Sequence, residues 1–174
     1  MTTLSLLEQL ASSEPLPVEQ FLSELARIFH VRQHEIALFT LNNSMLRFLF
    51  PAELRMAGAI PVNGSSLVAR TALTQKAEFF NSFATVRHSS IFETIKVGTT
   101  TELDPSTMVI QKLMTAPVVN PAGELAGVLQ VSRKGPSLHN SGPDFTAEDL
   151  RLLEGAARLI GRILPALQET AAAH

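Results

Sequence analysis

The 174-residue sequence has no cysteine. That excludes disulfides, thiolate metal sites, a thiol nucleophile and any thioether-linked chromophore. No stretch reaches the ~18 consecutive apolar residues that a membrane-spanning helix requires. The opening stretch MTTLSLLEQLASSEP lacks a basic n-region, and Glu8 and Gln9 break its apolar run, so it does not read as a secretory signal. Basic excess is missing as well: 14 Lys and Arg, scattered along the chain, stand against 16 Asp and Glu, for a formal charge of −2. Nucleic-acid binding needs cations massed on one face and is not expected. There is no GxSxG, no phosphate-binding loop and no pair of carboxylates at a useful spacing; NGSS has a single glycine and reads as a turn. The expectation from these absences is a soluble cytoplasmic protein, not an enzyme, with no cofactor, no metal and no membrane partner.

What is present is core material. Hydrophobic residues make up 45% and charged residues 17%, enough for one domain burying roughly 70% of its unfolded surface. Leu4, Leu7 and Ala11 predict a short helix to Ser12, which the two prolines of SSEPLP end. Val18, Phe21, Leu22, Leu25, Ile28 and Phe29 recur at steps of three and four, an amphipathic helix. EIALFTL and MLRFLF read as strands of a hairpin, because the intervening NNS tolerates positive φ. Ser65 or Ser66 is placed to cap a helix carrying Leu67, Val68, Thr71 and Ala72. FFNSF reads as a short strand and loop, SSIFETIK as a turn or two of helix, and VGTTTELDPST as a polar loop.

IQKLMTAPVV and ELAGVLQVSRK then form a second hairpin around NPAG, with Gly127 marking a bulge or the close approach of another backbone. Thr146 caps a last helix running to about Leu167. Its residues Leu150, Leu153, Ala157, Ile160, Leu164 and Leu167 form a coiled-coil-like seam, and Leu152, Ala156, Leu159 and Ile163 a second apolar stripe. One core needs about 100° of apolar arc, and this helix has more. Either the N-terminal helix covers the excess, or the seam builds a homodimer bundle; the second is adopted as the expectation. The element order implies an α+β domain with an antiparallel sheet of five to six strands covered on both faces.

Three stretches in order resemble the GAF domain: GAIPVNGSSLVARTALTQKAEFFNSF, APVVNPAGELAGVLQVSRKG and FTAEDLRLLEGAARLIGRIL, spanning about residues 17 to 165. The resemblance implies a PAS-related antiparallel sheet with terminal helices on one face. Short helices and loops roof a small-molecule cavity on the other. Residues 1–16 would form an N-terminal helix and linker, 17–168 the domain, and 169–174 a tail. It further implies a sensory or regulatory role. No attached output domain is expected within 174 residues, so a separate output protein would read the terminal helices. Cysteine-dependent chemistries of the family, bilin attachment and free methionine sulfoxide reduction, lack their residues here. The family's cyclic-nucleotide signature is matched at Lys134, Phe145 and Asp149 but broken at Arg133 and Leu150. A structural Lys134–Asp149 contact without nucleotide binding is the expectation.

By the same resemblance, Arg87 and His88 fall in the loop over the cavity. A guanidinium fork suits a carboxylate or phosphate, and an imidazole switches protonation near neutral pH. Phe80 and Phe92 would supply apolar wall, with Phe83 nearby, and Ser65 and Ser66 the helix N-terminus that favours an anion. The bland alternative has Arg87 and His88 in water and the phenylalanines in the core. His30 and His34 suit a metal only on one continuous helix, which ends between them. Gln111, Thr115 and Gln130, polar within apolar strands, must be hydrogen-bonded, more simply across strands than to a ligand. The working expectation is a homodimeric sensor for a small, anionic molecule; the alternative is a ligand-free dimerisation scaffold with a filled cavity.

Overall fold

Local sequence chemistry sets the elements of the computed structural model, which describes residues 2–83 and 109–172. Helix α1 spans Ser5–Ala11 and α2 spans Val18–Phe29, where His30 closes the helix in the left-handed region at φ 53°. Strands β1 (Ile36–Asn42) and β2 (Met45–Phe50) form the first hairpin. Its two-residue turn puts Asn43 and Ser44 at φ 52° and 62°, the twist that matches right-handed strands. A short strand β3 (Ile60–Pro61) precedes α3 (Leu67–Thr74) and β4 (Glu78–Phe80). Of the two candidate caps, Ser66 does the work: its hydroxyl accepts from the Ala69 N–H at 3.1 Å, while Ser65 is exposed.

Strands β5 (Ile110–Val119) and β6 (Leu125–Lys134) form the long central hairpin, and α4 (Ala147–Ala172) ends the fold, five residues beyond the expected Leu167. Thr146 and Asp149 cap α4 reciprocally: each accepts the other's backbone N–H, at 2.8 and 3.1 Å. The six strands make one antiparallel sheet in the order β3-β2-β1-β6-β5-β4. Gly127 lies where β6 meets β1, and a Cβ there would strike the Phe39 carbonyl; close backbone approach is why the position is glycine.

The period-2 alternation of the strands divides the interior into two layers. On one face Leu38, Met114, Ala116, Leu129 and Val131 pack with α1, α2 and α4. On the other, Phe39, Phe48 and Val128 meet Val68, Ala69 and Ala72 of α3, and Leu67, Phe83, Ile110 and Leu113 continue that layer. Phe39 and Phe48 face each other across β1 and β2 with ring centroids 4.3 Å apart.

The α4 seam requires a correction. Leu153, Ala157, Ile160, Leu164 and Leu167 are all under 5% exposed within the single chain, and Leu150 is half-buried. The five buried ones are packed within the chain's own core, so they leave no surface for a second chain. The second stripe is covered too: Ala156 and Leu159 are buried in the same cluster, and Leu152 and Ile163 pack at its margin. One helix therefore meets the sheet on one side and the N-terminal helices on the other, which accounts for its wide apolar arc. Arg151, Glu154, Arg158 and Arg162 are exposed, as their spacing predicts.

Candidate functional site

Strand β6 carries the polar residues of the sheet face that lies away from the terminal helices. Alternation sends Gln130, Ser132 and Lys134 to that face, and Val131 and Arg133 to the helical one. The first three line a cavity of about 40 Å³ together with His34, Glu35, Phe39, Phe48, Ile110 and Leu113. A volume of this order holds a few waters, well below the ≈300–1,000 Å³ of a pocket for a drug-sized ligand.

The polar groups around it are held in place. Glu35, 4% exposed, accepts the Lys134 N–H at 2.6 Å and the Arg32 N–H at 2.9 Å. Ser132 donates its hydroxyl to the Glu35 carbonyl at 3.3 Å, so that hydroxyl is tied to backbone and not activated by a base. The Lys134 ammonium donates to the His34 carbonyl at 3.2 Å.

Gln130 begins a directional chain. Thr71 donates its hydroxyl to the Leu67 carbonyl at 3.0 Å, so in the 2.8 Å Thr71–Thr115 contact Thr115 must be the donor. Thr115 is then free to accept from the Gln130 amide nitrogen, at 3.3 Å. Thr115 and Gln130 are also cross-strand partners in the β5–β6 register. The buried amide expected to pair across strands does so, and the chain ties the cavity floor to α3. Gln111 is likewise satisfied, donating to the Gly135 carbonyl at 3.1 Å.

The opposite side of β6 fastens the entry to α4. Arg133, 5% exposed, donates to the Phe29 carbonyl at 2.8 Å and to the Pro143 carbonyl, and its guanidinium lies 4.4 Å from the Phe145 ring centroid. Burial pushes its pKa down, and the charges of Asp149, Glu35 and Asp144 oppose that shift. Its cross-strand partner Lys112 is buried beside it, donating to the Gly142 carbonyl at 2.5 Å and pairing with Asp144 at 2.9 Å. Asn81 holds Phe145 by both backbone groups, at 3.0 and 2.7 Å.

This geometry corrects the Lys134–Asp149 expectation. Strand alternation puts Lys134 on the cavity side, whereas Asp149 caps α4 on the helical side. The cation that faces Asp149 is Arg133.

Of the other candidate residues, Phe80 is half-buried and packs at the margin of the Leu67–Leu113 cluster, 6.4 Å from Phe83 between ring centroids. Ser66 is used as a cap and Ser65 points to the surface. Arg87, His88 and Phe92 lie outside the described residues. His30 sits beyond α2 in a left-handed conformation, and no group of three or more potential metal ligands occurs among the described residues. Sequence reasoning missed Glu35, which accepts from the Lys134 N–H and, at its carbonyl, from Ser132, and Thr71, which Thr115 links to Gln130. A polar residue at every second position of β6 was the available signal, but only the fold brings the segment before β1 against it.

A model of the GAF domain family matches residues 18–164. The chain belongs to the GAF family. Solved structures agree on the fold. The GAF domain of an Acinetobacter phosphoenolpyruvate-protein phosphotransferase is 14% identical with a TM-score of 0.65, covering 98% of this chain and 94% of its own. The equivalent GAF domain from Coxiella burnetii is 14% identical with a TM-score of 0.64, covering 97% and 96%. A free methionine-R-sulfoxide reductase from Neisseria meningitidis, solved with its substrate, is 13% identical with a TM-score of 0.62, covering 97% and 89%. No curated protein matches the sequence. GAF domains are generally sensory or regulatory modules, and the Neisseria structure places a reductase on the same fold. No helix among the described residues is long and apolar enough to cross a membrane.

Proposed function

We propose that this GAF domain is a homodimeric regulatory module, not an enzyme, and that it binds a small anionic molecule on the sheet face opposite its terminal helices. One observation carries the reading: Gln130, Ser132 and Lys134 converge on a cavity walled by Phe39 and Phe48. Apolar walls with a few fixed polar groups are the ordinary make-up of a small-molecule site, and Lys134 supplies the charge. The lack of cysteine supports a role other than that of the Neisseria reductase, given the cysteine chemistry expected of that activity. Arg87 and His88 are proposed as further contacts, and the signal is proposed to leave through α4 to a separate protein.

The scaffold reading has its own support. Leu67, Phe83, Ile110 and Leu113 fill the layer beneath Phe80, and the described cavity is small. A thermal-shift screen with acetate, oxalate, phosphate and sulfate separates the two. A specific anion at 100 times its dissociation constant stabilises by about 2.7 kcal/mol, and Lys134→Ala should abolish that shift. Uniform indifference to the panel, or an undiminished shift in Lys134→Ala, would reject the anion site at this place.

A further inference from the structure

Hydrogen-bond direction around the β6 cavity restricts what can sit in it. Gln130, Ser132 and Lys134 reach it from alternate positions of one strand. The orientation of an amide follows once its partner's role is known. Thr115 donates to Thr71, so toward Gln130 it accepts, and Nε2 is the atom turned to it at 3.3 Å. Oε1, on the other branch of the amide, accepts no hydrogen bond among the described residues, although Gln130 is only 3% exposed. It is not shut off from open space, and the space beside Gln130 is the cavity. Ser132 behaves in the same way. A hydroxyl has one proton, and this one goes to the Glu35 carbonyl at 3.3 Å, so what Ser132 turns to the cavity is an acceptor. Glu35 adds no donor: its carboxylate accepts from the backbone N–H groups of Arg32 and Lys134. Strand β6 therefore offers the cavity one cation, Lys134, and two acceptors.

We propose that the ligand of this cavity is a small monoanion that brings its own hydrogen-bond donor: an oxyanion with an O–H, such as bicarbonate or a short 2-hydroxy acid. Its charge lies toward Lys134, and its O–H donates to Gln130 Oε1 or Ser132 Oγ. A bare oxyanion sets only lone pairs against those two oxygens, and a buried acceptor that loses water without gaining a donor weakens binding. A site built to hydrogen-bond a ligand hydroxyl rejects the analogue lacking it far more strongly than an apolar pocket rejects a missing methylene. Size points the same way. A cavity of about 40 Å³ takes roughly three or four waters, close to the heavy atoms of bicarbonate and far too little for a nucleotide.

The inference rests on the anion-site reading above and adds the donor to it. Bicarbonate and nitrate test it, because both are planar monoanions of the same size and only bicarbonate has a proton to donate. Glycolate and acetate repeat the comparison with carboxylates. Melting temperature is followed against the concentration of each sodium salt near neutral to mildly alkaline pH, with sodium chloride holding ionic strength constant and circular dichroism confirming that variants fold. Bicarbonate should bind about ten-fold or more tightly than nitrate, and glycolate more tightly than acetate. Ser132→Ala and Gln130→Leu should each narrow both gaps. Nitrate and acetate binding as well as their partners would overturn the donor requirement and leave the anion site standing. Binding of sulfate but of none of these four would do the same. Silence toward these four and toward the earlier anions would overturn both readings. A preference for bicarbonate that neither variant narrows would overturn the assignment to Gln130 and Ser132.

Discussion

Gly161 and Gly155 both lie in α4, and substituting each with alanine should have opposite consequences. Helix propensity alone favours alanine over glycine by about 1 kcal/mol at either site. At Gly161, however, an added Cβ runs into the Val119 carbonyl at the end of β5, standing 2.9 Å from its carbon and nearer still to its oxygen. Carbon pairs rest at about 3.5–4.0 Å, and both partners are backbone, so neither can rotate away. The helix must withdraw by roughly 1 Å, or the strand end must bend. Overpacking of this kind costs about 1–3 kcal/mol. With a rigid partner the upper end applies, so Gly161→Ala should lose about 2 kcal/mol net of the propensity gain. At 2–4 °C per kcal/mol for a chain of this size, Tm should fall by about 4–8 °C. At Gly155 the added carbon crowds the Leu4 Cδ1, at 2.6 Å, the end of a flexible side chain, and touches the Arg158 Nη2 at an ordinary 3.9 Å. Gly155→Ala should be neutral or gain up to about 1 kcal/mol. Urea unfolding followed by far-UV circular dichroism reads both. If Gly161→Ala is as stable as wild type, or the two variants shift in the same direction, the close α4–β5 approach is wrong.

Thr115→Val should cost about 1–3 kcal/mol, because the buried Gln130 amide loses its acceptor. Adding Gln130→Leu should recover part of that loss, since both partners are then removed; chemical denaturation of the single and double variants that shows no loss, or no recovery, contradicts the directional chain. Glu24 is nearly buried and takes both of its hydrogen bonds from Arg27, at 2.7 and 2.6 Å. Its pKa is lowered from 4.5, first by those bonds and then by the Arg27 charge, against the effect of burial. A depressed folded-state pKa contributes stability above the unfolded value and loses it as pH falls through the folded one. The deficit of Glu24→Gln relative to wild type should therefore be constant near neutrality and shrink below about pH 4.5; a deficit of equal size at pH 3 would show that the carboxylate charge is not what stabilises the site.

Much of the fold was legible because each element signals itself locally. Positive-φ residues in NNS, the Ser66 and Thr146 caps and the period-2 apolar runs are short-range facts, and the elements formed where they indicate. Gly127 was legible as a constraint, although only the β1 pairing shows which backbone approaches. The site was read less well. Lys134 and Asp149 were paired by resemblance, and a one-residue difference in strand phase handed the role to Arg133. Phase along a strand is visible in sequence; which face α4 covers is not.

The amino-acid order by itself determined the elements, the antiparallel pairing and the membership of the GAF family, since all three depend on periodicity, turn chemistry and motif order. It also determined that α4 would be apolar around most of its circumference. Only the tertiary structure decided what that surface meets. An apolar stripe is equally satisfied by its own sheet or by another chain, and burial is non-directional. The choice fell to connectivity, because α1, α2, β5 and α4 belong to one chain, and elements of one chain meet at a local concentration that a separate chain does not match.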